Sequence, residues 1–146
     1  MNDEVTLWLP DYWPPSLNQV VNAHWSKNRK HKQKAKDRLY VASLQSCGRV
    51  PIFVGPAKVR ICRLFQGRKQ AFDPDNLMGS VKPLVDAMRA PKLNVNQRGR
   101  GTEGGIGIIL DDDPEALDLD VDQVRAKFLT TTNIVTVITV TGERQI

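Results

Sequence analysis

Residues 73–88, DPDNLMGSVKPLVDAM, restrict the fold more than any other stretch of the chain, because their apolar side chains recur with a helical period. With Asp75 placed at 0° on a helix of ~100° per residue, Leu77, Val81, Leu84, Val85 and Met88 gather at roughly 180–280°. Gly79, Lys82 and Asp86 return to within about 40° of Asp75. The spacing predicts an amphipathic helix whose apolar stripe faces a core and whose Asp/Lys/Asp stripe faces outward. Asp73 and Asp75 stand at its start, one residue apart around Pro74. There, carboxylate oxygens accept hydrogen bonds from the free amide groups of the first turn. A capped surface helix would account for this stretch alone. Other parts of the chain give its two carboxylates more weight.

At 146 residues the chain reads as one domain over 1–146, large enough to bury a core. An apolar fraction of 40% with 25% charged residues is ordinary for a globular protein. No apolar run has the length of a membrane span, and MNDEVTLWLPDYW lacks the basic start and apolar run of a signal peptide. The expectation is a cytoplasmic protein with no membrane partner. Cys47 and Cys62 are then expected as buried thiols rather than a disulfide. Net charge is +5, and its distribution says more than its size. Seven of the 21 Lys and Arg residues lie between Lys27 and Arg38, with Asp37 the one acid among them. Seven of the 16 acids lie between Asp111 and Asp122. A compact basic segment apart from an acidic cluster suits a protein that binds a polyanion and uses a metal ion. An ordinary charged surface produces the same pattern by chance.

Val5 to Pro10 reads as a first strand, ended by Pro14 and Pro15, which force an extended turn. Residues 25–45, WSKNRKHKQKAKDRLYVASLQ, read as a helix that Ser26 can cap. Its first half is a solvated cationic surface, and Leu39, Val41 and Leu44 give its second half an apolar side. Residues 47–56 read as a loop from their Gly and Pro content. Ala57 to Phe65 reads as a strand with Val59 and Ile61 on one face and Arg60 on the other. Residues 89–105 look like a long loop. Their GRGTEG matches a dinucleotide fingerprint in letters only, since no strand precedes it and no βαβ context follows. Ile106 to Asp111 reads as a short strand ending in Asp111, Asp112 and Asp113. Val124 to Leu129 alternates, with Val124, Ala126 and Phe128 inward and Arg125 and Lys127 outward. Thr130 to Asn133 is a turn, and Ile134 to Thr141 is a strand rich in β-branched residues. The last two strands form a hairpin in this reading.

The fold class expected is α+β, a single mixed β-sheet of about five strands with two main helices. Asp73 and Asp75 then fall at a helix start and Asp111 to Asp113 at a strand exit, where rigid scaffolds tend to present functional side chains. If the two places adjoin, three or four carboxylates converge with Lys82. Convergent carboxylates repel unless a cation neutralises them. Hard oxygen donors without a His/Cys cluster point to Mg²⁺ or Mn²⁺ rather than zinc. His24 and His31 lie in the basic segment and suit phosphates or solvent better than a metal. DLDVDQ at 118–123 imitates the start of an EF-hand loop, but Gln123 stands where Gly is required and Leu129 where Glu is. A DxD phosphatase nucleophile would directly follow an apolar strand, whereas Asp73 follows GRKQAF.

Trp13 to Ser16 (WPPS), the basic segment after it, FDPDNL around Asp73 and Asp75, KPLVDAM around Lys82 and Asp86, and LDD at 110–112 occur in an order that resembles the RusA family of Holliday-junction resolvases. The resemblance spans nearly the whole chain. It implies a homodimeric, Mg²⁺-dependent endonuclease acting on branched DNA, the four-way junction, with no small-molecule cofactor. By that resemblance Asp73, Asp75 and Asp112 are the metal-binding aspartates, with Asp111 a near neighbour able to trade places with Asp112, and Lys82 is the lysine needed for cleavage. Lys27, Arg29, Lys30, Lys32, Lys34 and Lys36 would grip the DNA backbone. Two departures from the family pattern stand out: Lys82 lies seven residues after Asp75, beyond the family's spacing, and 89–105 is unusually long. Pro83 removes a helical donor and crowds the carbonyl of Gly79, so a kink there is expected to bring Lys82 back toward the carboxylates. A non-catalytic nucleic-acid-binding module, and a nuclease for branched DNA without junction preference, are the two other readings open at this point.

Overall fold

A computed structural model describes residues 2–15, 25–66, 71–93, 102–103, 105–111, 115–127 and 134–145. Strand β1 (Asp3–Pro10) is followed by helix α1 (Trp25–Cys47) and strand β2 (Phe53–Phe65). Two short helices come next, α2 (Pro74–Ser80) and α3 (Lys82–Met88). A two-residue ribbon pairs β3 (Lys92–Leu93) with β4 (Thr102–Glu103), and the chain closes with β5 (Leu117–Arg125) and β6 (Ile134–Arg144). The protein is α+β. Its main sheet has four strands in the order β1-β6-β2-β5, one fewer than the sequence suggests. Strand β6 is antiparallel to both β1 and β2, whereas β2 and β5 run parallel.

One face of the sheet is covered and the other is open. Val5, Leu7 and Leu9 of β1, Val59 and Ile61 of β2, and Ile138 and Val140 of β6 point into the core with the period of two that a pleated strand imposes. Helix α1 meets them with Ala35, Leu39 and Ala42, and α3 adds Leu84, Val85 and Met88. The stripe read from the sequence of 73–88 is the buried one: Leu77, Val81, Leu84, Val85 and Met88 are all in the core. The apolar side of α1 differs from expectation. Leu39 is buried, but Val41 and Leu44 are exposed, because Ala35, Leu39 and Ala42 already align at i, i+4 and i+7 against β1. Glycine ends the helix, with Gly48 at φ 73 and its amide donating to Leu44 O at 2.9 Å. The side chain of Ser26, the expected cap, lies outside the described residues.

Three further expectations are corrected. Strand β2 begins at Phe53 rather than Ala57, since Gly55 at φ 79 lets a bulge between Val54 and Ala57 carry pairing past Pro56. Ile106 to Asp111 does not form a strand of the sheet. Its amides instead serve the end of α3: Ile106 N donates to Ala87 O, Gly105 N and Gly107 N to Arg89 O, and Ile109 N to Met88 O. The last two strands are not a hairpin. Strand β6, β-branched from Ile134 to Thr141, takes a central position, while β5 goes to the edge beside β2. The inward phase of β5 runs Leu117, Leu119, Val121 and Gln123, so Val124 faces out and is 50% exposed. Asp118, Asp120 and Asp122 line its other face, and charge along an edge strand discourages pairing with another chain. Phe128, Leu129 and the turn at 130–133 lie outside the described residues.

Candidate functional site

The crossover from β2 to β5 carries the carboxylates at the start of the amphipathic helices. Asp73 is the N-cap of α2: its extended backbone (φ −66, ψ 159) lets Oδ1 accept from Asn76 N at 2.8 Å. Pro74 occupies the first turn, where a missing N–H costs nothing, and Asp75 follows in the same turn. Both aspartates are exposed. The positive end of a helix favours carboxylates held there. One oxygen of Asp73 serves the cap, and a carboxylate retains acceptor capacity beyond that bond.

Lys82 heads α3. The helical path breaks at Val81 (φ −84, ψ −7), with Pro83 in the first turn of α3 and Gly79 four residues before it. A break was expected here. Lys82 Nζ, however, lies 3.7 Å from Asp86 Oδ1, one turn further on, and its side chain is 73% exposed. Arg89 Nε reaches the same Asp86 oxygen at 3.7 Å, so a half-buried carboxylate gathers two cations on one side of α3. Lys82 is thus paired with Asp86 within its own helix.

Asp111 is not beside Asp73. Ile108 O accepts from Phe53 N at the start of β2, and Ala116 O accepts from Ala57 N, which places Asp111 at the amino end of β2. Phe72 is bonded to Gln123, the partner of Arg63 near the carboxyl end of β2. From Ala57 to Arg63 is six residues of strand, roughly 20 Å at ~3.3 Å each. Asp112 and Asp113 lie outside the described residues, as does His24. Among the described residues no group of three His, Cys, Asp or Glu side chains is close enough to hold a metal ion. Asp73 and Asp75 still fit Mg²⁺, an ion that commonly takes one or two carboxylates and completes its shell with water and substrate phosphate.

The basic run forms a solvated face of α1. Lys27, Arg29, Lys30, Lys32 and Lys34 are exposed and Lys36 is half-buried, with Ala35 turned into the core. Gln33 Nε2 donates to Asp37 Oδ1 at 2.9 Å within this face.

Sequence reading missed a cluster just inside the carboxylates. Arg63 is only 3% exposed, at an inward position of β2. Its guanidinium lies 4.3 Å from the centroid of Phe72, 4.7 Å from Phe65 and 5.9 Å from Trp13. Burial lowers the Arg63 pKa from its ordinary value. Trp13 Nε1 donates to Ser80 Oγ at 3.1 Å, and its ring stands edge-on to Phe72 at 6.3 Å, tying the end of β1 to α2. Gln123 Oε1 accepts from Phe72 N at 2.9 Å and from Arg63 Nη1 at 3.4 Å, and Gln123 Nε2 donates to Phe72 O at 2.6 Å. A signal for this cluster exists in the sequence. Arg63 interrupts the inward series Ala57, Val59, Ile61 and Phe65, and Gln123 interrupts Leu117, Leu119 and Val121.

Cys47 and Cys62 are both free thiols and half-buried. Burial, then a hydrogen bond to Asp122, pushes the Cys62 pKa up to about 12. No family model matches this chain, and no curated protein matches it.

Proposed function

We propose that the protein is a Mg²⁺-dependent endodeoxyribonuclease of the RusA type, a homodimer in the cytoplasm that resolves four-way DNA junctions by hydrolysing phosphodiester bonds. The observation that carries this reading is the pairing of Asp73 and Asp75 in the first turn of a helix. The exposed cationic face of α1 on the same chain supports it. Asp73 and Asp75 would hold the ion; the resemblance adds Asp112, whose neighbour Asp111 stands toward the other end of β2. When bound, Mg²⁺ polarises the scissile phosphate and lowers the pKa of a coordinated water. The chain's own work is to fix the two carboxylates on a capped turn, so that little reorganisation is needed at the moment of reaction. Lys82 would offer positive charge to the phosphoryl oxygens once it leaves Asp86. Lys27, Arg29, Lys30, Lys32, Lys34 and Lys36 would take the DNA backbone by phosphate contacts, which position without reading sequence.

The ion pair of Lys82 with Asp86 and the distance of Asp111 from Asp73 favour a second reading, a nucleic-acid-binding module without catalysis. A mobile four-way junction and a linear duplex of the same sequence, each incubated with Mg²⁺ or with EDTA, separate the possibilities. Paired nicks in the junction alone, dependent on Mg²⁺, support resolution. Equal cutting of both substrates points to a general nuclease, and binding without cutting leaves the non-catalytic module.

A further inference from the structure

We infer that Gln123 is a positioning residue for Asp73, acting through both backbone polar groups of Phe72; this rests on the proposal that Asp73 holds the cation. A side-chain amide has one accepting and one donating end. Here the ends are assigned by their partners. The oxygen faces two donors, Phe72 N at 2.9 Å and Arg63 Nη1 at 3.4 Å, and the nitrogen faces one acceptor, Phe72 O at 2.6 Å. Gln123 thereby extends the ladder of an edge strand by one side-chain step and fixes the peptide groups on both sides of Phe72. The next residue is Asp73, and its side chain is committed through Oδ1 to the cap. Asp73 is held from two directions: Gln123 sets where its backbone enters the helix, and Asn76 N sets the rotamer. Arg63 completes the arrangement from below. Buried among Phe65, Phe72 and Trp13, it presents a fixed donor that holds the Gln123 amide in one orientation.

This geometry makes a substitution that separates stability from positioning. Gln123→Glu keeps the length of the side chain and the oxygen that accepts from Phe72 N. It also places a carboxylate beside the buried Arg63 guanidinium, a favourable pair. It replaces the donor to Phe72 O with a second acceptor, so the carbonyl side of the clamp opens. Gln123→Met, of similar volume, removes every polar contact without adding charge.

The test uses the full chain with Mn²⁺ alone as the probe. Exchange of the Asn76 amide proton reports the Asp73 cap, and Mn²⁺ affinity reports the carboxylates. Q123E should retain the wild-type melting temperature or exceed it. Its Asn76 amide should exchange up to about tenfold faster, the equivalent of one lost hydrogen bond. Its Mn²⁺ affinity should fall by about 10–100-fold, the usual consequence of losing a group that orients a metal ligand. Q123M should move both readouts the same way, whatever it does to melting. Wild-type Asn76 exchange together with wild-type Mn²⁺ affinity in either folded variant overturns the assignment. If the wild-type protein binds no Mn²⁺ at Asp73, the nuclease reading fails by itself; unchanged Asn76 exchange would still overturn the positioning role, and faster exchange would support it.

Discussion

Replacing Asp73 by Asn and by Ala separates the cap that the structure shows from the ligand role proposed for the same side chain. Asp73 Oδ1 accepts from Asn76 N at 2.8 Å, and α2 is only seven residues long, so the cap is a large part of what holds its first turn. Asn caps as well as Asp, whereas Ala removes the bond at a cost of about 0.5–2 kcal/mol. Both changes also remove a negative charge from the positive end of a helix, worth about 0.3–1 kcal/mol. Asp73→Asn should therefore lose under about 1 kcal/mol and Asp73→Ala about 1–3. At ~2–4 °C per kcal/mol for a chain of this size, melting should fall by up to about 4 °C and by about 2–12 °C respectively. Cleavage should not follow that order. A neutral amide is a poor ligand for Mg²⁺, so both variants should lose about a hundredfold or more in turnover, equivalent to roughly 3 kcal/mol of transition-state stabilisation. Thermal melting, junction binding by gel shift and single-turnover cleavage of a labelled junction read the three quantities. Near wild-type cleavage by Asp73→Asn would refute the ligand role, and unchanged melting of Asp73→Ala would refute the cap.

Lys82→Ala should cut turnover by orders of magnitude with melting nearly unchanged, because an i, i+4 pair whose lysine is exposed is worth only about 0.3–0.5 kcal/mol; a loss under about tenfold in single-turnover cleavage would leave Lys82 as an ion pair of the helix only. Neutralising Lys30, Lys32 and Lys34 together should flatten the log K against log salt slope for duplex arms by up to about 2.7, at roughly 0.9 per phosphate contact. Titrations across a salt series check this, and an unchanged slope would make that face a solvated surface only. Burial pushes the Tyr12 hydroxyl up to about 12 from 10.0, so the folded state favours the protonated form. The stability associated with it is fully present below pH 10, and up to about 3 kcal/mol is lost as pH rises toward 12. Urea unfolding of Tyr12→Phe between those pH values should show a shallower decline, Cys62 contributing the part that remains.

The parts of the fold legible in the sequence are those with one strong period and one environment. The stripe of Leu77, Val81, Leu84, Val85 and Met88 found the core because a helix of that pattern has no other stable placement. Strand β2 was legible from Val59 and Ile61 for the same reason. What failed depended on tertiary partners. Leu117, Leu119 and Val121 alternate with Asp118, Asp120 and Asp122 as an edge strand should, yet the acids drew attention as a charge cluster instead. Pairing of β5 with β2 rather than with β6 is set by the crossover, and nearness in sequence favours the hairpin wrongly. In α1, Ala35 and Ala42 are inconspicuous beside Val41 and Leu44, but small residues let the helix sit close to β1. The cap at Asp73 was readable because it has a local signature. Its support was not, since Arg63 and Gln123 meet across two strands and mean little until β2 and β5 are paired.

The parallel pairing of β2 and β5 makes a last prediction about which acids can share a site. A chain that leaves the carboxyl end of one strand must return to the amino end of its parallel neighbour. Residues early in such a crossover stay near the carboxyl ends, where open sheets with helices commonly place ligand sites. Residues late in it arrive at the opposite end. Asp73 and Asp75 are early, just after Phe72 is clamped to Gln123, and Asp111 is late, just before Ala116 bonds to Ala57. The intervening roughly 20 Å of strand is several times the reach of an aspartate side chain, so this register sets Asp111 apart from the ion proposed for the other two. Asp75→Asn should therefore keep junction binding and abolish cleavage, whereas Asp111→Asn should cut within about threefold of wild type and leave Mn²⁺ affinity at Asp73 and Asp75 intact. Equal loss of cleavage and of Mn²⁺ affinity in both variants would show that the acids converge after all, and would overturn the separation that the parallel register imposes.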